Sequence, residues 1–192
     1  KVVGGGLPLS TPVSEIMSQP LYTLDINNHI LEASEHMTDK NTRPVIVAAR
    51  RTPVGRFLGG LSRVPSPQLG AFAIEAVLAD SSIAPSDVDE CIMGCVLQAG
   101  VGQNPARQAA IAAGIPVEKT AYVINQVCGS GLRSIAAGYQ SILLNDAKIV
   151  IAGGQESMTN SNNEMMLKDG LIDAYNNYHM GITAENVAEK WN

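Results

Sequence analysis

The sequence predicts an α/β fold with a layered sheet over residues 44–192. Two observations predict it. Short apolar runs of strand length alternate with segments whose apolar residues recur at helical spacing. The chain also has 192 residues, of which 45% are apolar, enough for one core with a short appendage. Strands and helices alternating in this way are typical of parallel βαβ units, in which helices cover both faces of the sheet.

The first predicted strand is "PVIVAA", residues 44–49, a continuous apolar run. The predicted helix after it, "LGAFAIEAVLAD", has an apolar stripe at Leu69, Phe72, Ala73, Ala76 and Val77. "ECIMGCVL" is the second predicted strand, and "NPARQAAIAAG" is a helix that ends at Gly114.

The alternation of strands and helices continues after Gly114. "TAYVIN" is the third predicted strand, and "AKIVIAGG" is the fourth. Between them lies a predicted helix with an apolar stripe at Leu132, Ile135, Ala136, Tyr139, Ile142 and Leu143.

The net charge and the cysteine content of the chain argue against several classes of function. A net charge of −5 argues against nucleic acid or an anionic membrane as a partner, because the chain has no excess of lysine and arginine. No apolar run has the length of a membrane span, and no cationic leader opens the sequence. Three cysteines fit a reducing, cytoplasmic compartment. We expect Cys91 and Cys95 to be buried core thiols, and we expect no metal site because no nearby residues complete a ligand set.

The stretch "NQVCGSGLRS" places Cys128 between a predicted strand and a predicted helix. The N–H groups and dipole at a helix start favour negative charge, and hence the thiolate form of a cysteine and an oxyanion formed by its attack. Two glycines after the cysteine let the backbone turn tightly and let a substrate approach. From the residues alone, a nucleophile and a simple packing role for Cys128 both remain open.

Several segments together resemble the thiolases, which transfer acyl groups between coenzyme A thioesters through a cysteine. They are "VIVAARRTPVGRFLGGL", "GQNPARQAAIAAGIP", "INQVCGSGLRSI", "AGGQESMTN" and "YHMGITAENVAEKW". The resemblance implies the amino-terminal half of a thiolase-like layered sheet and favours acetyl-CoA C-acetyltransferase chemistry, with acetyl-CoA and acetoacetyl-CoA as substrates. It implies no metal or organic cofactor, coenzyme A being the co-substrate. It also implies a homo-oligomer, dimer or tetramer, for the complete protein.

Carried over residue by residue, the resemblance makes Cys128 the acylated nucleophile, and its backbone N–H part of an oxyanion hole. His179 and Met180 are expected to line the channel for the acyl group and pantetheine. Gln155 to Ser157 is expected to be a structural turn. Arg107 and Gln108 are expected at a subunit contact, with a solvated helix face as the alternative.

The resemblance covers residues 44–160 as the amino-terminal domain and 161–192 as the start of a loop region. Thiolases take their base, a histidine in a "GHP"-type segment, and a second cysteine, in a "CxG"-type segment, from a second half. Neither segment occurs in these 192 residues. We therefore expect the isolated chain to be nearly inactive. A ketoacyl-synthase-like condensing enzyme, also cysteine-dependent, is the alternative within the same fold.

Residues 1–43 have a different sequence pattern from residues 44–192. "VSEIMSQPLYTLD" and the helix-like "NNHILEASEHM" resemble the first half of a CBS domain over about residues 7–41. The resemblance predicts a partial CBS-like α+β segment or extension that lacks the phosphate-binding half of such domains. A regulatory module that binds adenine nucleotides is the alternative function from a different class.

Overall fold

The computed structural model describes residues 44–191, so the prediction for the CBS-like segment lies outside the described residues. Within this range the chain forms one parallel sheet of three strands, with β1 in the centre between β2 and β3. The strands are β1 (Glu90–Gly94), β2 (Thr120–Ile124) and β3 (Val150–Gly154). The second, third and fourth predicted strands are therefore confirmed.

The helices that pack with the sheet are α1 (Ser66–Ser81), α2 (Pro105–Ala112) and α3 (Ser130–Leu143). After β3 follow α4 (Asn163–Met166) and α5 (Met180–Trp191). Helix α1 packs on α2, and α2 packs on β2 and β1, whereas α3 packs on β1 and β3. None of the helices within residues 44–191 is long and apolar enough to cross a membrane.

The central strand is buried on both of its faces. Successive side chains of a strand point to opposite faces, so Cys91 and Met93 share one face and Ile92 lies on the other. Cys91 and Met93 belong to a core that they form with residues of α1 and α2. The members of that core from the two helices are Ala71, Ile74, Leu78, Ala106, Ala109 and Ala110. Helices therefore cover both faces of β1, as the alternating pattern predicted.

The parallel register brings the three strand ends to one edge of the sheet. Gly94 is the last residue of β1 and is level with Ile124 of β2 and Gly154 of β3. Beyond this level, the Cys95 N–H donates to the Ile124 carbonyl at 3.1 Å, and the Gln155 N–H donates to the Gly94 carbonyl at 2.9 Å. The segments that leave the three strands are thus held together where they leave the sheet.

The predicted apolar stripe of α1 is wrong. Phe72, which belongs to that stripe, is 46% exposed. The buried side of α1 instead carries Gly70, Ala71, Ile74 and Leu78. Gly70 has no room for a side chain, because an added Cβ would overlap the Gln155 Oε1 and would lie 3.1 Å from the Ala109 Cβ of the next helix.

The predicted stripe of α3 also faces outward. Leu132 is 75% exposed, whereas Ser130, Ser134 and Gly138 are the buried residues of this helix. A Cβ on Gly138 would lie 2.9 Å from Val150 Cγ1, so only a small residue allows α3 to lie this close to β3. The buried side of α3 is thus chosen by size rather than by apolar character.

The predicted strand at residues 44–49 does not form. Val45, Ile46 and Val47 are each more than half exposed, and no strand in the described range pairs with this segment. A groove of about 520 Å³ separates it from β3, which pairs with β1 only. An apolar run becomes a strand only when a neighbour completes its hydrogen bonds, and residues 44–49 pair neither with the open edge of β3 nor with any other strand in the described range.

We expect Gly94→Ala to destabilise the protein. A Cβ at this position would lie 2.5 Å from Ser130 C and 2.6 Å from Gly131 N, so β1 and α3 would have to move apart. Overpacking of this kind costs about 1–3 kcal/mol of unfolding free energy, measurable by urea denaturation. Gly60→Ala is the control, since no heavy atom lies within 4 Å of its added Cβ. Equal unfolding midpoints for the two variants would contradict the close contact.

Candidate active site

Cys128 lies on the turn between β2 and α3, at the edge where the strands end, and its side chain is exposed. It borders a pocket of about 410 Å³. The residues that leave all three strands line this pocket, together with Gly170 and Leu171 from the segment before α5. The predicted position of Cys128, on a turn at a helix start, is confirmed.

The turn before Cys128 has an unusual backbone. Val127 has φ +48°, in the left-handed region that β-branched residues rarely adopt. The Asn125 Oδ1 accepts the Val127 N–H at 3.0 Å. The Ser130 hydroxyl accepts the Gln126 N–H at 2.9 Å and donates to the Val127 carbonyl at 2.5 Å. Hydrogen bonds from both sides thus hold the strained residue in place.

The first turn of α3 lies at the pocket. Ser130 and Gly131 begin this helix and line the pocket beside Cys128. No side chain caps the helix at its N-cap residue, Gly129. The N–H groups of a first helical turn lack partners within the helix and carry the positive end of its dipole. The geometry therefore suits an anion at the pocket, either a cysteine thiolate or an oxyanion formed by its attack on a carbonyl.

The other two cysteines are buried, as predicted. Burial, reinforced by the nearby Glu90 carboxylate, raises the pKa of Cys91 to about 12. Burial also raises the pKa of Cys95 to about 12, with a contribution from Glu156. Cys95 borders the same pocket as Cys128 but is only 1% exposed. Of the three thiols, the one on the turn is the one placed to react with a molecule from solvent.

Glu156 organises the opposite wall of the pocket. Its carboxylate accepts the Val96 N–H at 2.8 Å and the Leu97 N–H at 3.2 Å, and the Cys95 thiol donates to it at 3.7 Å. The buried Gln155 donates from Nε2 to the Pro105 carbonyl at 2.9 Å. These contacts agree with the predicted structural turn. The sequence did not predict that the Glu156 carboxylate accepts the backbone N–H groups that follow β1. A carboxylate two residues after the end of a predicted strand was the feature that could have indicated it.

His179 and Met180 lie outside the lining of the Cys128 pocket. The His179 Nδ1 accepts the Gly181 N–H at 3.0 Å, and Met180 is the first residue of α5. An isolated antiparallel bridge pairs His179 with Ile172, the residue after the pocket residue Leu171. The backbone bridge thus holds His179, and with it the start of α5, next to the segment that ends the pocket lining. Contact of His179 and Met180 with a substrate stays a prediction.

Arg107 and Gln108 are tied to their own chain. The Arg107 guanidinium donates to the carbonyls of Val117 and Lys119. The Gln108 Nε2 donates to the Val101 carbonyl at 3.0 Å. These bonds fix the loops on either side of α2, so a freely solvated helix face does not describe the two side chains. Their role at a subunit contact stays a prediction.

Comparison with known proteins agrees with this arrangement. The model of the thiolase N-terminal domain matches residues 44–165 and 160–192. An acetyl-CoA acetyltransferase of Paracoccus denitrificans is 53% identical over 166 residues, covering 78% of this chain and 42% of that protein. Another, from Chromobacterium violaceum, is 53% identical over 163 residues and covers 76% and 42% of the two chains.

A probable acetyl-CoA acyltransferase of Staphylococcus aureus is 48% identical over 167 residues, covering 78% of this chain and 42% of that protein. The chain thus spans about two fifths of the length of these relatives. The family match extends over the described residues, and the relatives are identical to this chain at about half of the aligned positions. The chain belongs to the thiolase family.

Proposed function

We propose that this chain contributes the nucleophilic half of an acyl transfer between coenzyme A thioesters, of the acetyl-CoA C-acetyltransferase type. The observation that carries the proposal is the exposed Cys128 on a strained turn, at a pocket that the start of α3 also lines. Relatives at about 50% identity named acetyl-CoA acetyltransferase support the choice of reaction.

In the proposed reaction the Cys128 thiolate attacks the carbonyl carbon of an acetyl-CoA thioester. The tetrahedral oxyanion is stabilised by backbone N–H groups, that of Cys128 included. Coenzyme A leaves as a thiol after taking up a proton, and an acetyl group remains on the cysteine sulfur. A second acetyl-CoA loses a methyl proton, which balances the proton taken up by coenzyme A, and the resulting enolate attacks the acetyl carbonyl. The C–S bond to the cysteine then breaks, which releases the cysteine thiolate and acetoacetyl-CoA. Thiolysis runs through the same steps in reverse.

The pocket suits an apolar acyl group. Leu97, Val127, Met158 and Leu171 give it apolar walls next to Cys128. Apolar walls with a few backbone donors are typical of sites for small molecules. We propose that His179 and Met180 contact the acyl and pantetheine part of the substrate, since a backbone bridge pairs His179 with Ile172, the residue after the pocket residue Leu171.

Proton transfer needs groups that these 192 residues do not supply in the family pattern. We therefore propose that the isolated chain has little turnover of its own, because an unassisted nucleophile loses orders of magnitude in rate. We further propose that the complete enzyme is a cytoplasmic homo-oligomer without metal. The three free thiols fit a reducing compartment.

Alkylation is expected to distinguish the three cysteines. Between pH 7 and 9, iodoacetamide should modify Cys128 alone, because Cys91 and Cys95 are buried and have pKa values of about 12. Both buried thiols stay protonated over this range, since a raised pKa moves ionisation to higher pH. Mass spectrometry of proteolytic peptides identifies the modified site. Denatured protein, in which all three thiols should react, is the control. Early labelling of Cys95 in folded protein would contradict the expected selectivity for Cys128.

Acyl transfer is tested with acetyl-CoA and acetoacetyl-CoA on wild type and Cys128→Ala. We expect wild type to gain the mass of one acetyl group on Cys128 and to cleave acetoacetyl-CoA only slowly, and we expect the variant to do neither. Cys91→Ala, which leaves the pocket cysteine intact, is the control after circular dichroism has shown that it folds. A folded wild type that never acquires an acetyl group on Cys128 would refute the proposed nucleophile.

A further inference from the structure

We infer that Ser130 is a positioning residue for Cys128, holding the strained turn that places the thiol at the start of α3. The inference rests on the proposed role of Cys128 as nucleophile. It gives a role to the hydroxyl of Ser130, which lies two residues after Cys128 in the chain. Ser130 itself contacts no reacting atom in this proposal. It acts through the backbone of Gln126 and Val127.

The Ser130 hydroxyl is used in both directions. It donates to the Val127 carbonyl at 2.5 Å and accepts the Gln126 N–H at 2.9 Å, so one group binds both peptide units that flank Val127. The Ser130 N–H also donates to the Val127 carbonyl, at 3.1 Å. A left-handed backbone at a β-branched residue persists only where its surroundings hold it. The serine supplies most of that support from the helix side.

Ser130 is itself held rigidly. It is 4% exposed, and it lies so close to the end of β1 that a Cβ on Gly94 would approach its backbone to 2.5 Å. The support for Val127 is therefore anchored to the central strand rather than to a surface loop. On the other side of the turn, the exposed Asn125 holds the Val127 N–H.

This arrangement fixes the thiol relative to the dipole of α3. Cys128 stands between Val127, whose conformation is strained, and Gly129, the N-cap residue. If the turn relaxes, the sulfur keeps its exposure but loses its fixed distance from the helix start. The helix dipole then acts less on charge at the sulfur. Iodoacetate and iodoacetamide both react with the thiolate, so the thiolate fraction and the accessibility cancel in the ratio of their rate constants, and the ratio reports the potential that the reagent's own charge meets beside the helix start.

The test compares iodoacetate, an anion, with iodoacetamide, its neutral analogue, on the intact chain. The measured quantity is the ratio of their rate constants at Cys128, by site-resolved mass spectrometry. We expect Ser130→Ala to lower this ratio about twofold to fivefold, the size of a helix-dipole effect on a nearby charge. Ser134→Ala is the matched control: it is also buried on α3, but its hydroxyl donates to the carbonyls of Gly131 and Gly153.

Two further variants make the test specific. Adding Val127→Gly to Ser130→Ala should restore much of the ratio, because glycine adopts a positive φ without strain. If Ser130→Ala does not fold, Asn125→Ala takes its place, since this exposed residue supports the same turn, and a smaller fall in the ratio is expected.

Three results would overturn the inference. The first is an unchanged ratio in folded Ser130→Ala, or in Asn125→Ala where Ser130→Ala does not fold. The others are an equal fall of the ratio in Ser134→Ala, and no recovery of the ratio in the Ser130→Ala, Val127→Gly double variant. Alkylation needs no coenzyme A, so its outcome is independent of acyl transfer. A lowered ratio together with an acylation-inactive Cys128 would refute the proposed function and leave the positioning role intact.

Discussion

The close contact between the end of β1 and the first turn of α3 is the constraint on which the site depends. Gly94 has no side chain, so the backbone of Ser130 and Gly131 comes within a few ångströms of it. Gly154, at the end of β3, also faces Gly131, but less closely: an added Cβ would lie 3.4 Å from the Gly131 Cα, an ordinary contact distance. The helix start therefore lies directly over the strand ends. A larger residue in place of Gly94 would separate the helix start from the strand ends and from the pocket that it borders.

The backbone groups that this closeness leaves without sheet partners are satisfied by side chains. Glu156 accepts two N–H groups of the segment after β1, and Ser130 and Asn125 bind the turn after β2. Hydrogen bonds to a charged acceptor are stronger than neutral ones, about 1.5–3 kcal/mol each. Side chains from neighbouring segments thus fix the pocket walls, so the walls around the Cys128 thiol are already ordered before a ligand binds.

Much of this was predictable, and the failures share a cause. The strand–turn–helix pattern around Cys128 is local, so the sequence predicted where the cysteine lies and where α2 and α3 run. The stripes of α1 and α3 were wrong because apolar periodicity ignores distance: where a helix lies close to its neighbour, Ser134 or Gly70 fits and leucine does not. Whether residues 44–49 form a strand depends on a pairing partner, which no local pattern reveals. The hydroxyl of Ser130 was missed for the same reason, since its role depends on the three-dimensional turn.

Environment, rather than residue type, divides the three cysteines. A thiol with a pKa of about 12 is ionised to the extent of roughly one molecule in 100,000 at pH 7, so Cys91 and Cys95 carry almost no thiolate. For Cys95, the carboxylate that fixes the pocket wall is also a cause of this inertness, since Glu156 accepts its S–H and opposes its ionisation. One residue thus shapes the pocket and keeps its second thiol unreactive. The selective acylation proposed for Cys128 requires the second of these effects, because a competing thiolate in the same pocket would be acylated as well.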